Sequence, residues 1–206
     1  MSLPLLILAS SSPYRQSLLQ KLQLPFISQA PKIDESLPEG ASAPALVQHL
    51  ALQKALAVAE QHTGHPALVI GSDQLATYQD AQGKYHLLGK PHTEQAAIEQ
   101  LSRLQGRSVV FYTGLCVYDQ RDTQTYTCVE HFTVYFRTLS PTQIQTYVAK
   151  ERPLDCAGSF KSEGLGICLF ERLEGEDPNT LIGLPLIRLS KLLADLGLDP
   201  LAPTTH

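Results

Sequence analysis

No two cysteines of the 206-residue chain stand in C-x-x-C spacing; Cys116, Cys128, Cys156 and Cys168 are scattered. That argues against a zinc knuckle or a dithiol redox motif. Such cysteines are most simply buried or inert thiols of a cytosolic chain. The seven histidines show no H-x-x-x-H or H-E-x-x-H arrangement. Basic residues are not in excess: net charge is -4 and the pI about 5.9. A dedicated nucleic-acid or membrane-surface protein would usually carry a basic patch, so neither is expected as a partner. No apolar run is long enough to span a bilayer. Residues 3–9 are apolar but lack the basic flank and small-residue cleavage site of a signal peptide. The expectation is a cytoplasmic protein. There is no sustained repeat and no low-complexity linker.

What is present starts with Leu5-Leu6-Ile7-Leu8-Ala9-Ser10-Ser11-Ser12-Pro13-Tyr14-Arg15. An apolar run stops at three serines, and helical apolar spacing follows through Leu18, Leu19 and Leu22. The run reads as a buried strand, Ser12 as an N-cap and Pro13 as the first helical residue. A strand feeding a helix through a hydroxyl-rich turn can bind an anion on free N–H groups, Ser10, Ser12 and Arg15. It can equally do no more than cap a helix.

Further strands are expected at 26–30, 67–73, 108–118, 125–136 and 167–170, and helices at 43–61, from Thr93 to about Leu104, from Ser140 to about Lys150, and at 184–196. Segments 31–39 and 158–166 read as loops, 80–85 as a polar turn or hairpin tip, and the tail from about 200 as loose. The two long middle strands should be antiparallel neighbours. Alternating strands and helices followed by paired strands indicate an α/β protein with a mixed sheet, one compact unit with a cleft between two lobes.

Polar residues end several apolar elements. Asp73 closes a continuous apolar strand, where an α/β sheet places its ligands. Glu35 lies in a proline-flanked loop, Lys90 in Gly89-Lys90-Pro91, and Lys54 within a helix. Carboxylates with lysines and an anion turn suit phosphoryl chemistry: oxygens for a hard divalent cation, cations for non-bridging phosphate oxygens, a carboxylate to activate water. Taken singly, Lys54 reads as a solvated helix residue and Glu35 as a surface charge. Composition and spacing alone go no further than a phosphate enzyme.

The Leu8-to-Arg15 turn, Asp34-Glu35, Lys54, Gly71-Ser72-Asp73-Gln74, Gly89-Lys90-Pro91, Tyr112-Thr113-Gly114, Ala157-Gly158-Ser159-Phe160-Lys161-Ser162-Glu163-Gly164 and Gly183-Leu184-Pro185 occur in this order. Over nearly the whole chain the set resembles the Maf family of nucleoside triphosphate pyrophosphatases, and within it the bacterial subgroup that hydrolyses 7-methyl-GTP. The resemblance implies an elongated Maf/Ham-type (ITPase-like) fold, often a homodimer, and cleavage between the α and β phosphates with a divalent cation, Mg²⁺ or Mn²⁺. By matched position, Asp73 accepts the proton of the attacking water. Glu35 and Asp73 contact the metal, and Ser10, Arg15, Lys54 and Lys90 hold the triphosphate. Three departures from the commonest family pattern, Tyr14, Gln74 and Glu163, fall at positions associated with base selection. Chemistry agrees: an aromatic ring can stack on a cationic N7-methylated guanine, and a carboxylate can accept from its N1–H and N2–H₂ edge. The alternatives are a dTTP or UTP pyrophosphatase of the same family and a non-catalytic nucleotide-binding regulator of cell division.

Overall fold

A computed structural model describes residues 4–36, 40–64 and 66–202. Residues 37–39 of the expected loop and 203–206 of the expected tail lie outside the described residues; 200–202 form a turn. The strands are β1 (Leu5–Leu8), β2 (Ile27–Ser28), β3 (Ala67–Gln79), β4 (Tyr85–Leu88), β5 (Ser108–Asp119), β6 (Gln124–Phe136) and β7 (Phe170–Glu174). The helices are α1 (Pro13–Gln20), α2 (Ala43–Ala59), α3 (Glu94–Leu104), α4 (Pro141–Glu151), α5 (Pro178–Ile182) and α6 (Leu186–Asp195). The sheet order is β2-β1-β3-β5-β6-β7, with β4 also on β3. It is mixed, as expected: β1 pairs parallel with β2 and β3, whereas β4 on β3 and β7 on β6 are antiparallel. Residues 120–123 join β5 to its neighbour β6, a link short enough only for an antiparallel pair.

Contacts divide the chain into two units, Met1–Gln74 with Thr113–Glu130 and Asp177–His206, and Leu75–Tyr112 with His131–Glu176; β3, β5 and β6 contribute to both. In the first unit both faces of β1 are covered. Leu6 and Leu8 pack with Leu68, Ile70, Leu115 and the α6 residues Leu189 and Leu193. Ile7 and Ala9 pack with Val69, Cys116 and the α2 residues Ala51, Ala55 and Val58. Strands buried on two sides must be apolar at successive positions, which is why the runs at 5–9 and 67–70 lack alternation. Each such leucine or isoleucine contributes about 1.5–3 kcal/mol.

Small residues bring α2 close to the sheet. A methyl group at Gly71 would run into the Ala51 carbonyl oxygen, and one at Gly114 into that of Val47. These two motif glycines exist because helix backbone lies directly over strand backbone.

In the second unit α3 packs on α4, and four phenylalanines meet edge to face: Phe160 lies 5.5 Å from Phe111, 5.6 Å from Phe136 and 4.9 Å from Phe170. The 80–85 turn is a hairpin tip. Asp80 closes it by accepting from the backbone N–H groups of Gln82 and Lys84, and Tyr78 stacks on His86 across β3 and β4.

Four local expectations need correction. The strand expected to close at Asp73 continues to Gln79, so the carboxylate lies in mid-strand. The 26–30 strand shrinks to Ile27–Ser28. The stretch 167–170, expected as a strand, is mostly a 3₁₀ turn over Leu165–Leu169, and β7 begins only at Phe170. A short apolar run does not reveal its own geometry, and Gly166, whose Cβ would strike the Lys161 carbonyl, permits the tight turn. The last helix begins at Leu186, after a separate short helix, α5, that the hydrophobic pattern did not reveal.

Candidate active site

Three sequence-expected residues meet at one ammonium group. Lys54 sits on the face of α2 shared with Val47, Ala51 and Val58, so it points into the sheet, and its side chain is only 8% exposed. Its Nζ donates to Asp73 Oδ1 at 2.6 Å and reaches Glu35 Oε1 at 2.7 Å. The solvated-helix reading of Lys54 is thereby corrected. Glu35 remains 61% exposed, and its carboxylate is nevertheless engaged. Two of the three ammonium protons are committed and the third can point elsewhere. Asp73 Oδ2 makes no hydrogen bond with another described residue.

Strand alternation places Ser72 and Gln74 on the face opposite Asp73. Ser72 Oγ lies 2.9 Å from the Gly114 carbonyl and 3.0 Å from that of Gly183. Gln74 Nε2 donates to Thr113 Oγ1 and to the carbonyls of Thr180 and Leu181. Its amide nitrogen is therefore spent on α5, leaving only the oxygen for a ligand.

Arg15 donates through Nε to the Gly183 carbonyl at 2.8 Å. Its two terminal nitrogens bond no other described residue, so a planar fork is held at its base and left open at its tip. Burial lowers the Arg15 pKa from its ordinary value, while the negative charges of Asp73 and Glu35 act in the opposite direction. Those two carboxylates are the ones that hold Lys54. Gly183 adopts φ 117°, a conformation that favours glycine, and a Cβ there would lie 3.4 Å from Arg15 Nε.

In the serine turn Ser12 caps α1, its Oγ accepting from the Arg15 N–H at 3.4 Å. Ser10, 5% exposed, accepts from the Ser12 N–H and keeps its hydroxyl proton free to donate. Tyr14 lies in the first turn of α1.

Lys90 and Glu163 belong to the second unit. Lys90 is exposed after β4, and its side chain bonds no other described residue. Glu163 is exposed within the 158–166 loop, where Ser162 Oγ lies 3.3 Å from Oε2. That loop is anchored to α4: the Lys161 N–H donates to the Tyr147 hydroxyl and the Leu165 N–H to Glu151 Oε2.

The sequence reading missed Gln100, and it quoted Gly183 and Ser159 within motifs without giving either a role. Gly183 could have been placed at a helix end, because Asp177-Pro178 followed by Gly183 is an N-cap, a first-position proline and a C-terminal glycine. Among the described residues no three His, Cys, Asp or Glu side chains cluster as metal ligands. Glu35 and Asp73 alone offer two carboxylates, a donor set that suits Mg²⁺ when substrate phosphates complete the shell.

An α/β fold with a serine turn, an open arginine fork and a lysine between two carboxylates defines a protein built to handle phosphate groups. A family model described as Maf-like protein matches residues 5–196, and the chain belongs to the Maf family. It is 53% identical over 201 residues to a 7-methyl-GTP pyrophosphatase of Pseudoalteromonas translucida, covering 98% of this chain and 96% of that protein. Proteins of the same name from Colwellia psychrerythraea (51% identity, 96% and 95% covered) and Alcanivorax borkumensis (53%, 95% and 96%) are similar over comparable spans.

Proposed function

We propose that this chain hydrolyses 7-methyl-GTP to 7-methyl-GMP and pyrophosphate. The observation that carries the chemistry is the buried Lys54 ammonium held between Asp73 and Glu35. Relatives at 51–53% identity that are named 7-methyl-GTP pyrophosphatase support the substrate.

Water attacks the α-phosphorus; its oxygen forms the new P–O bond, the bond to the β-phosphate oxygen breaks, and pyrophosphate leaves. Asp73 Oδ2 takes the water proton as general base, a role worth about 10²–10⁴-fold in such sites. Lys54 fixes Asp73 through Oδ1 and turns its remaining N–H toward a non-bridging oxygen. Arg15 offers its open fork to the phosphates and Ser10 its hydroxyl proton, with Ser12 ordering the turn. Lys90 is a further phosphate contact, supported by its motif alone. Tyr14 stacks on the methylated base, Glu163 accepts from its N1–H and N2–H₂ edge, and Gln74 contributes its amide oxygen. Glu35 and Asp73 would hold a divalent cation, Mg²⁺ or Mn²⁺, which supplies charge neutralisation at the phosphates when bound. A homodimer belongs to the same reading and rests on the family resemblance, whereas a cytoplasmic location rests on a sequence in which no apolar run is long enough to span a bilayer.

Pyrophosphate release from 7-methyl-GTP, GTP, UTP, dTTP, CTP and ATP, each with and without Mg²⁺ or Mn²⁺, tests it. Cation-dependent release chiefly from 7-methyl-GTP is expected. Release chiefly from UTP or dTTP would keep the mechanism and discard the base assignment. Binding without release from any of them would leave a nucleotide-binding regulator.

A further inference from the structure

In the second unit one amide side chain bridges two loops. Gln100, half-buried on α3, accepts from the Ser159 hydroxyl at 2.5 Å through Oε1 and donates to the Gly89 carbonyl at 3.2 Å through Nε2. A carbonyl can only accept, so the nitrogen must face Gly89 and the oxygen Ser159. Gly89 precedes Lys90, and the far side of that loop is tied down by the His92 N–H on the Leu154 carbonyl at 3.0 Å. Ser159 opens the segment that carries Lys161 and Glu163. It is fully buried and adopts φ 59°, a left-handed conformation uncommon for a non-glycine residue. Such local strain persists only where surrounding contacts impose it. Here they include the Ser159 N–H on the Cys156 carbonyl and the hydroxyl on Gln100.

We infer that Gln100 is a positioning residue that couples the Glu163 loop to the Lys90 loop, so that seating the base sets the placement of the phosphate-binding lysine. This rests on the roles proposed above for Glu163 and Lys90. Gln100 touches neither base nor phosphate. It transmits through two hydrogen bonds, and a one-ångström displacement of a reacting contact can cost about 10²-fold in rate. Only an amide makes both bonds at once. Gln100→Glu keeps an oxygen for Ser159 but loses the donor to Gly89; Gln100→Leu loses both; Ser159→Ala removes the other end.

The test is a double-mutant cycle of Gln100→Leu and Ser159→Ala, with Gln100→Glu beside it. The readouts are steady-state pyrophosphate release from 7-methyl-GTP and GTP, and amide hydrogen exchange at residues 88–92. Each single variant should lower kcat on 7-methyl-GTP by about tenfold or more with a smaller change in KM. The double variant should be no worse than the weaker single. Gln100→Glu should lose kcat yet keep the wild-type preference for 7-methyl-GTP over GTP. Ser159→Ala should speed exchange at 88–92 although it lies on the other loop. Additive kinetic effects in a folded, active enzyme, or unchanged exchange at 88–92 in Ser159→Ala, would overturn the coupling. A wild-type protein that releases no pyrophosphate would instead overturn the functional reading, and the exchange measurement would still decide the coupling.

Discussion

Lys54 and Asp73 share a hydrogen bond of 2.6 Å between a helix and a strand, with side chains only 8% and 12% exposed. An ammonium that far from solvent needs its counter-charge, and Asp73 with Glu35 supplies two. One proton of Lys54 and one oxygen of Asp73 remain for a ligand. The pair is a tie between α2 and β3, and in the proposed function its remaining proton and oxygen meet phosphate and water.

Asp73→Asn should retain the fold and lose catalysis. The amide oxygen can still accept from Lys54, whereas no general base remains. We expect turnover to fall by about 10²–10⁴-fold, with the melting temperature little changed. Pyrophosphate release and thermal melting on the same sample check this, and near-normal turnover would remove Asp73 from the role.

Gly71→Ala should damage the site from behind. The added methyl meets the Ala51 carbonyl, so α2 must move and carry Lys54 with it. Overpacking of this kind costs roughly 3 kcal/mol, or about 6–12 °C in a chain of this size. Melting curves and activity should fall together; a silent substitution would mean that α2 yields freely.

Exchanging Tyr14 for arginine together with Glu163 for glutamine should shift substrate rank from 7-methyl-GTP toward dTTP or UTP. An unchanged ranking across the nucleotide panel would count against both residues as base readers. Gln74→Thr should behave differently, because it removes the amide donor from the Thr180 and Leu181 carbonyls and leaves Thr180 only the Thr113 hydroxyl. A loss of about 1–3 kcal/mol in denaturant titrations is the expected outcome.

Asp119, 2% exposed, ties the β5 end to Arg121 with Oδ2–Nη2 at 2.6 Å. Burial alone would raise its pKa, but the hydrogen bonds and charge of Arg121 prevail and hold it below the ordinary value of 3.8. A lowered folded pKa means the contribution is complete above 3.8 and disappears as pH falls through the lower folded value. The stability advantage of the wild type over Asp119→Asn should be constant from about pH 5 upward and shrink below pH 4, as thermal melts in a pH series will show.

Part of the site was legible because a polar residue interrupts an apolar run at the serine turn and at Asp73. Ser12-Pro13 announces a helix start and Asp73 ends the apolar run of a buried strand, although β3 itself continues to Gln79, so the turn and the carboxylate could be placed from local rules. Lys54 could not be judged alone: its helical phase with Val47 and Val58 gave a buried face, but only the partners make a buried lysine tolerable. Glu35 sits in a loop with no periodicity, and nothing local aims it at Lys54. The 167–170 run misled because four apolar residues fit a strand or a turn equally, and the contact of Gly166 with Lys161 decides between them. Ser159 and Gln100 are 59 residues apart, and no spacing rule joins them.

The amino-acid sequence by itself determined the mixed α/β class, the serine turn and the family, because hydrophobic period, capping chemistry and ordered motifs act over a few residues each. Tertiary structure alone decided which charges meet, since ion pairs such as Lys54 with Glu35 and Asp73 join segments that local preferences do not relate. It also decided why the motifs carry glycine at 71 and 114: the requirement lies in the backbone of α2 packed against them, and close approach is a property of the packed chain.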